Sequence, residues 1–431
     1  MKRLLVIGVI WVGCAVAWMV LGSTILVRSG ATSSELVQEV HLLWGPPLAQ
    51  QPPNALYRET VRRREKITSK DAQGRPVETE IEREEPVQIE IPVAQSDVAV
   101  KLALEHRRKG LNWFPTYTVD FRARYGFVNT TQAPRRIEMR FPLSTENTIY
   151  DDLQVLDAGG LPVATTIAGG AAQWADEFAP GQRREYTISY RSRGTSTWHY
   201  QLTAGTGQVR NFHLELDTNF ANVDFPAGTV SPVSQRAGAH AGVGGRGWHG
   251  EWTWKSLVAN APIGLALPER LNPGPLASRI TFFAPVSLLF FFFVVAVFAT
   301  AQRRSIHPLN YFFFGLAFFA FHLLFAYLVD HLPILPSFAL ASATSVALVV
   351  SYARLFVGWR FALREMGVAQ LLYLVLFSFT FFWTGFTGLA ITIGAVLTLF
   401  AMMQVTGRVK WDQATGAVTP GPVEPLVRSP H

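Results

Sequence analysis

Apolar residues in this chain follow two patterns, continuous runs at its ends and alternation in its middle. Leu4 to Val27 is almost wholly apolar and is preceded by Lys2 and Arg3. A helix of that length can cross a hydrocarbon layer of about 30 Å. It exceeds the core of a secretory signal, which is about 7–15 residues long. Cys14 after Val12-Gly13 superficially suggests a lipoprotein, but Trp11 stands where a small aliphatic residue is needed. The run is read as an uncleaved anchor. Five further candidate spans lie in the C-terminal third: Ile280–Thr300, Leu309–Val329, Leu335–Leu355, Val368–Thr387 and Leu389–Val405. Only Thr384 to Gly388 separates the last two, which suits a tight helical hairpin.

The basic residues between these runs sort by side. Arg303 and Arg304 follow the second span, Arg354, Arg360 and Arg364 close or follow the fourth, and Arg408 and Lys410 follow the sixth. The opposite side offers only His331 between spans three and four. Since cytoplasmic loops carry the excess of Lys and Arg, six spans with both termini in the cytoplasm fit every loop.

Between the anchor and the bundle the composition becomes that of a soluble domain. Ala31 to Trp44 could continue the first helix. Tyr57 to Glu90 is dense in Arg, Lys and Glu and is broken by the turn-like Asp71-Ala-Gln-Gly74, so it reads as a solvated hairpin or arm. From Pro115 the period becomes two. Tyr117, Val119, Phe121, Ala123, Tyr125 and Phe127 alternate with mostly polar residues, as do Ile137, Met139 and Phe141, then Tyr186, Ile188 and Tyr190. Trp198, Tyr200 and Leu202, and Phe212, Leu214 and Leu216, repeat the pattern, with turn signals such as Ala179-Pro-Gly-Gln182 between runs. Alternation of this kind places one set on a core and the other in water. The expected architecture is an N-terminal spanning helix, an antiparallel β-sandwich-like domain and a five-helix membrane bundle. The expected boundaries are 1–30 for the anchor, 31–114 for a membrane-proximal charged segment and 115–279 for the β-domain. The bundle takes 280–406 and a disordered cytoplasmic tail 407–431.

Composition agrees with this division. Of 431 residues 49% are hydrophobic and 16% charged, where a soluble protein carries about a quarter charged. The net charge of +7 does not indicate nucleic acid, because no basic stripe interleaves with exposed aromatics. The single cysteine, Cys14, excludes an internal disulfide framework and a Cys-rich zinc site.

Candidate chemistry is sparse. Gly242-Val-Gly244-Gly-Arg-Gly247 has the form of a dinucleotide fingerprint, but a strand-like Trp248-His-Gly-Glu-Trp-Thr-Trp254 follows where a helix is required. A hairpin loop is the better reading. His240 and His249 could meet across it as metal ligands, but without Cys or a fixed carboxylate partner they read as solvent-exposed. No Gly-x-Ser-x-Gly, His-Glu-x-x-His or phosphate-loop sequence occurs, and the acids of Glu78 to Glu90 read as a solvated face. No catalytic, cofactor or metal site is expected. In the bundle, His322 sits mid-span. It is read as a packing residue bonded to a neighbouring helix, for instance at Ser342, Thr344 or Ser345, with proton relay as the functional alternative. Asp330 and His331 close that span near the interface. Ala341-x-x-x-Ser345 permits close helix contact, and the runs Phe282–Phe293 and Phe312–Phe321 face lipid and neighbouring helices.

Several of these residues resemble the CreD family of Gram-negative inner-membrane proteins. The likeness is carried by Arg303-Arg-Ser-Ile-His307-Pro308-Leu-Asn310-Tyr311, by Gly315-Leu316 in the following helix and by Asp330-His331 at its end. The family has Gln where Asn310 stands. Tyr352-Ala-Arg354, Arg408-Val-Lys-Trp411, Gly247 to Trp254 and Gly45-Pro-Pro-Leu48 are similar to further family features, although Gln50 and Gln51 replace an apolar continuation. The resemblance implies a multi-pass inner-membrane protein with a large periplasmic domain, associated with cell-envelope integrity and with no catalytic residues to carry over. It marks His307, Pro308, Tyr311, Gly315, His322, Asp330 and His331 as candidate functional positions. The expected partners are the lipid bilayer and a periplasmic envelope protein or cell-wall component. A small transporter or channel component built on the bundle is the alternative.

Overall fold

The computed structural model describes all residues except 1, 71–75, 144–146, 204–206, 243–244, 303, 305, 384 and 408–431. The expectations for Asp71 to Gly74, Arg303, Ser305, Thr384, the Arg408-to-Trp411 motif and the tail fall on those positions. The chain divides into two compact units. One comprises Met1–Ser34, Gly110–Asn112 and Leu271–His431, the other Glu35–Lys109 and Trp113–Arg270.

Among the described residues, six helices are long and apolar enough to cross a membrane. Helix α1 (Lys2–Trp44) runs unbroken through the anchor and the expected continuation. At 1.5 Å per residue it is roughly 65 Å long. Helices α2 (Pro273–Ala301), α3 (Pro308–Leu328) and α4 (Ile334–Val357) follow, then α5 (Trp359–Phe382) and α6 (Thr387–Thr406). The fifth span starts earlier than its hydropathy suggests. Gly358 takes φ 84°, a conformation that stops α4 at little cost to glycine, and the helix restarts at once. Arg360 and Arg364 therefore lie on the first turns of α5 and not in a loop. Two π-helical stretches, Ala362–Gly367 and Leu371–Leu376, interrupt α5.

The second unit is built from strands. A seven-stranded sheet has the order 234–242, 245–259, 207–218, 95–109, 112–128, 183–195, 150–156, and a five-stranded sheet the order 76–91, 54–70, 135–142, 171–178, 166–168. A small third sheet joins 48–50, 197–200 and 263–266. The alternating runs read from the sequence fall on strands and bury the apolar set: Tyr117, Val119, Phe121, Ala123, Tyr125 and Phe127 are all at most 1% exposed. The two larger sheets share one core, where Phe121 meets Phe141 at 6.1 Å and Trp174 meets Tyr186 at 5.5 Å between ring centres.

The expectation of a purely antiparallel sandwich needs correction. Strand 207–218 pairs with 95–109 in parallel, and 48–50 pairs in parallel with 197–200. Parallel neighbours need a long crossover, and here sequence-distant segments supply it. Strand 95–109 lies centrally in the large sheet, with Val98, Val100, Leu102 and Leu104 buried. The charged segment Tyr57 to Glu90 forms the expected hairpin, paired in register from Ala55↔Ile91 to Lys70↔Pro76. Gln50 and the tyrosines fill the polar needs of the core. Tyr190 donates to Gln50 Oε1 at 2.7 Å, Gln50 donates to Pro142 O at 3.1 Å, and the Tyr125 and Tyr200 hydroxyls meet at 3.0 Å.

Candidate functional site

The candidate positions of the third span cluster on α3, and most have an assignable physical task. His307 is the N-cap of α3, where its Nδ1 accepts from Leu309 N–H at 3.2 Å. That satisfies one of the helix's unpaired donors. Pro308 occupies the first turn, where a missing N–H costs nothing. Asn310 accepts from the Tyr352 hydroxyl at 3.0 Å, which joins the start of α3 to the end of α4. Tyr311 is buried edge-on against Phe292 of α2, 5.2 Å between centres.

Gly315, His322 and Asp330 all meet α1. A Cβ on Gly315 would lie 2.8 Å from Cys14 Sγ, so any side chain there would push the helices apart. His322 is fully buried, its ring edge-on to Trp18 at 5.5 Å. Asp330 forms an ion pair with Arg28 at 2.9 Å, while Arg28 also donates to Ala326 O at 3.2 Å and lies 5.1 Å above the Tyr327 ring. His331 is exposed and makes no side-chain hydrogen bond among the described residues.

The partner expected for His322 is not the one found. Its Nδ1 donates to Phe318 O, one turn back on its own helix, at 2.8 Å. Ser345 donates instead to Ala317 O at 2.6 Å and accepts from Gln370 at 2.8 Å, while Thr344 bonds Leu340 O. A histidine on the α1 side of α3 cannot also serve the α4 side, because adjacent faces of one helix diverge by about 100° per residue. The small-residue spacing does act as expected: Ala341 and Ser345 are fully buried and Ser345 bridges α4 to α3.

From α1, the docking residues form a stripe. Trp11, Cys14, Trp18, Gly22, Ile25 and Ser29 recur at three and four residues, which is one helical face. Trp11 Nε1 donates to Pro285 O at 2.8 Å, and Ser278 donates to Gly22 O at 3.2 Å. A Cβ at Gly22 would lie 3.0 Å from the Phe282 ring. The pairs with α3 ascend together, Cys14 with Gly315 and Arg28 with Asp330, so α1 and α3 run parallel. Those with α2 descend, Trp11 with Pro285 and Gly22 with Ser278, so α1 and α2 run antiparallel. Trp18, Gly22 and Arg28 were missed in the sequence. Their signal was the three-and-four spacing of Trp, Cys and Gly within a run otherwise suited to lipid.

In the β-domain, His249 is buried and not solvent-exposed as its loop position suggested. It stands in register between Asp217 and Arg236 on neighbouring strands. Its Nδ1 bonds Asp217 at 2.8 Å, and Arg236 donates to its Nε2 at 3.4 Å. Nearby, hydrogen bonds from Ser234 and Thr253 hold the Glu251 carboxyl below its ordinary range. At the fingerprint-like motif, Gly242 pairs with Gly245 between two antiparallel strands, and a strand follows where such a motif requires a helix. The His240 side chain lies outside the described residues. Among those described, no group of three or more His, Cys, Asp or Glu is placed to hold a metal.

Residues 248–412, from the last long strand through all five C-terminal helices, match the family model of inner membrane protein CreD. For that part of its length the chain is similar to the CreD family. The match includes Gly315, His322 and Asp330 of the CreD segment but not Cys14, Trp18 and Arg28, which meet them from outside it. No curated protein matches the chain. Among solved structures, a candidate nutrient binding protein from Legionella pneumophila is similar over 47% of this chain and 74% of its own, at 14% identity and a TM-score of 0.27. An M1 zinc metallopeptidase from Deinococcus radiodurans is similar over 75% and 93%, at 9% identity and a TM-score of 0.26. Neither likeness bears on fold or activity. The CreD match and the six apolar helices together describe a multi-pass membrane protein. Six crossings return the C-terminal end to the side on which α1 begins.

Proposed function

We propose that this chain is a non-enzymatic inner-membrane protein of the CreD type that supports cell-envelope integrity. Its termini are cytoplasmic and its β-domain is a periplasmic interaction module. The single observation that carries the reading is the CreD match over residues 248–412. The bonds made by four polar side chains of the bundle support it. Ser278, Ser345, Trp11 and Arg28 each bond a backbone carbonyl on another helix. A translocation path would instead leave polar side chains facing one another along a shared lumen. His307, Pro308, Tyr311, Gly315 and Asp330 then act in building α3 and seating α1 on it.

Two experiments test this. Reporter fusions after Arg304, Gly358 and Gly407 should score as cytoplasmic, and one after His331 as periplasmic; the reverse pattern would sink the orientation. Deleting the gene should sensitise cells to detergent, and the intact chain should restore resistance. If the deletion leaves the envelope unaffected under every stress tried, the integrity role is wrong.

A further inference from the structure

The hairpin of strands 54–70 and 76–91 reaches beyond the rest of its sheet. Strand 54–70 pairs with strand 135–142 through Asn54–Leu56, and the Arg135–Glu59 ion pair at 2.5 Å is the last tie described on that side. Past it the two strands continue as a ribbon. Among the described residues no third strand and no helix lies behind them, and such ribbons are at best marginally stable in water.

Charge on this ribbon is segregated by strand. Side chains alternate between the two faces, so even-numbered residues share one face. On that face the inner strand presents Arg62, Arg64 and Lys66, and the outer strand Glu84, Glu82 and Glu80 directly opposite them. Arg62 pairs with Glu84 at 2.9 Å and Arg64 with Glu82 at 3.2 Å. These four side chains remain 53–73% exposed, so each keeps hydrogen-bonding capacity directed away from its hairpin partner. The odd face is not sorted in this way: Arg63 stands opposite Arg83, with Glu65 and Glu85 beside them.

We propose that the even-numbered face of this ribbon docks on the same face of a second copy of the chain. A two-fold axis running along the ribbon carries the basic row of one copy over the acidic row of the other, and the reverse. One operation therefore satisfies both rows, as an isologous interface requires. A uniformly charged partner, whether nucleic acid or an anionic lipid surface, would meet one row favourably and be repelled by the other. Charge complementarity thus selects the chain's own ribbon as occupant. The contact is electrostatic and exposed, so it weakens as salt screens it.

The experiment is sedimentation or light scattering of the full chain in nanodiscs carrying one tag or the other, with co-capture between tags. Wild type should self-associate at low salt, and about 0.5 M salt should weaken the association about tenfold or more. Reversing one strand (Arg62→Glu with Arg64→Glu) should abolish it. Because that change also breaks the hairpin's own ion pairs, a second variant carries Glu82→Arg and Glu84→Arg as well. This variant rebuilds the ladder with its sides exchanged. It should pair with itself but not with wild type, since like rows then face each other. A monomeric wild type at all concentrations overturns the proposal, leaving the ladder as a solubilising face. Equal capture of wild type by the fully exchanged variant overturns it too.

Discussion

The two cores of this protein are both rich in aromatic rings but are held together by different forces. In the β-domain, polar tips meet side chains, as Tyr190 meets Gln50 and Tyr125 meets Tyr200. In the bundle Tyr352 meets Asn310 and Gln370 meets Ser345 in the same way, while other groups reach carbonyls across helices: Trp11 to Pro285, Ser278 to Gly22, Ser345 to Ala317. Water drives the first core together by excluding apolar surface. In lipid that force is absent between helices, and association rests on close approach and hydrogen bonds. The first core should therefore be sensitive to lost volume, the second to added volume.

The largest effect expected is in the β-domain. Phe121 is buried and stacks on Tyr190 at 4.8 Å. Phe121→Ala should cost about 3–5 kcal/mol in denaturant unfolding, and a cost below about 1 kcal/mol would mean the two sheets do not share this core. Alkali should act on the same region. Burial raises the ionisation of Tyr117, Tyr125, Tyr190 and Tyr200 above the ordinary tyrosine range. The unfolded chain ionises near pH ~10, so the stability held by these hydroxyls is intact below that pH and is lost as pH rises beyond it. Phenolate absorbance should appear together with unfolding; its appearance in the folded domain would contradict this.

In the bundle, Gly315→Leu should lower stability in detergent by about 1–3 kcal/mol through overpacking against α1. It should also make Cys14 label faster with a membrane-permeant maleimide. Unchanged labelling would mean α1 does not seat there. Asp330→Asn should cost under about 1 kcal/mol, because the pair with Arg28 is nearly half exposed. A double-mutant cycle with Arg28→Gln reads the coupling, which should vanish in high salt. The smallest effect belongs to His322→Gln, which should leave abundance and envelope resistance intact. Normal insertion with complete loss of function would instead favour a proton-relay role and the transporter alternative.

Legibility from sequence followed the same divide. The six apolar runs and the alternating strands were readable because each depends on one local period. Strand 95–109 was harder, since its buried valines and leucines end in His106-Arg-Arg-Lys109 and follow a charged arm. Its parallel pairing with 207–218 depends on contacts across about a hundred residues, which no local pattern records. On α3 the family resemblance singled out positions, but not the partners they meet. Asn310 reaches Tyr352, and Asp330 reaches Arg28 some three hundred residues earlier. The partner sets the role, and the partner is not adjacent in the chain. The π-helical stretches of α5 have no sequence signal that we can name.

That distance between partners has a consequence in time. Helix α1 is synthesised before residues 45–272, and α2 and α3 only after them. At about 5–20 residues per second, roughly 15–60 s pass before Pro285, Gly315 and Asp330 exist for Trp11, Cys14 and Arg28 to meet. Throughout that interval α1 stands alone in the bilayer with Trp18 and Gly22 turned toward lipid and the Arg28 charge uncompensated. Until then its length and the flanking Lys2 and Arg3 hold the newborn helix without these contacts. The stripe that later fastens it is, until then, an open surface on which any other passing helix could settle.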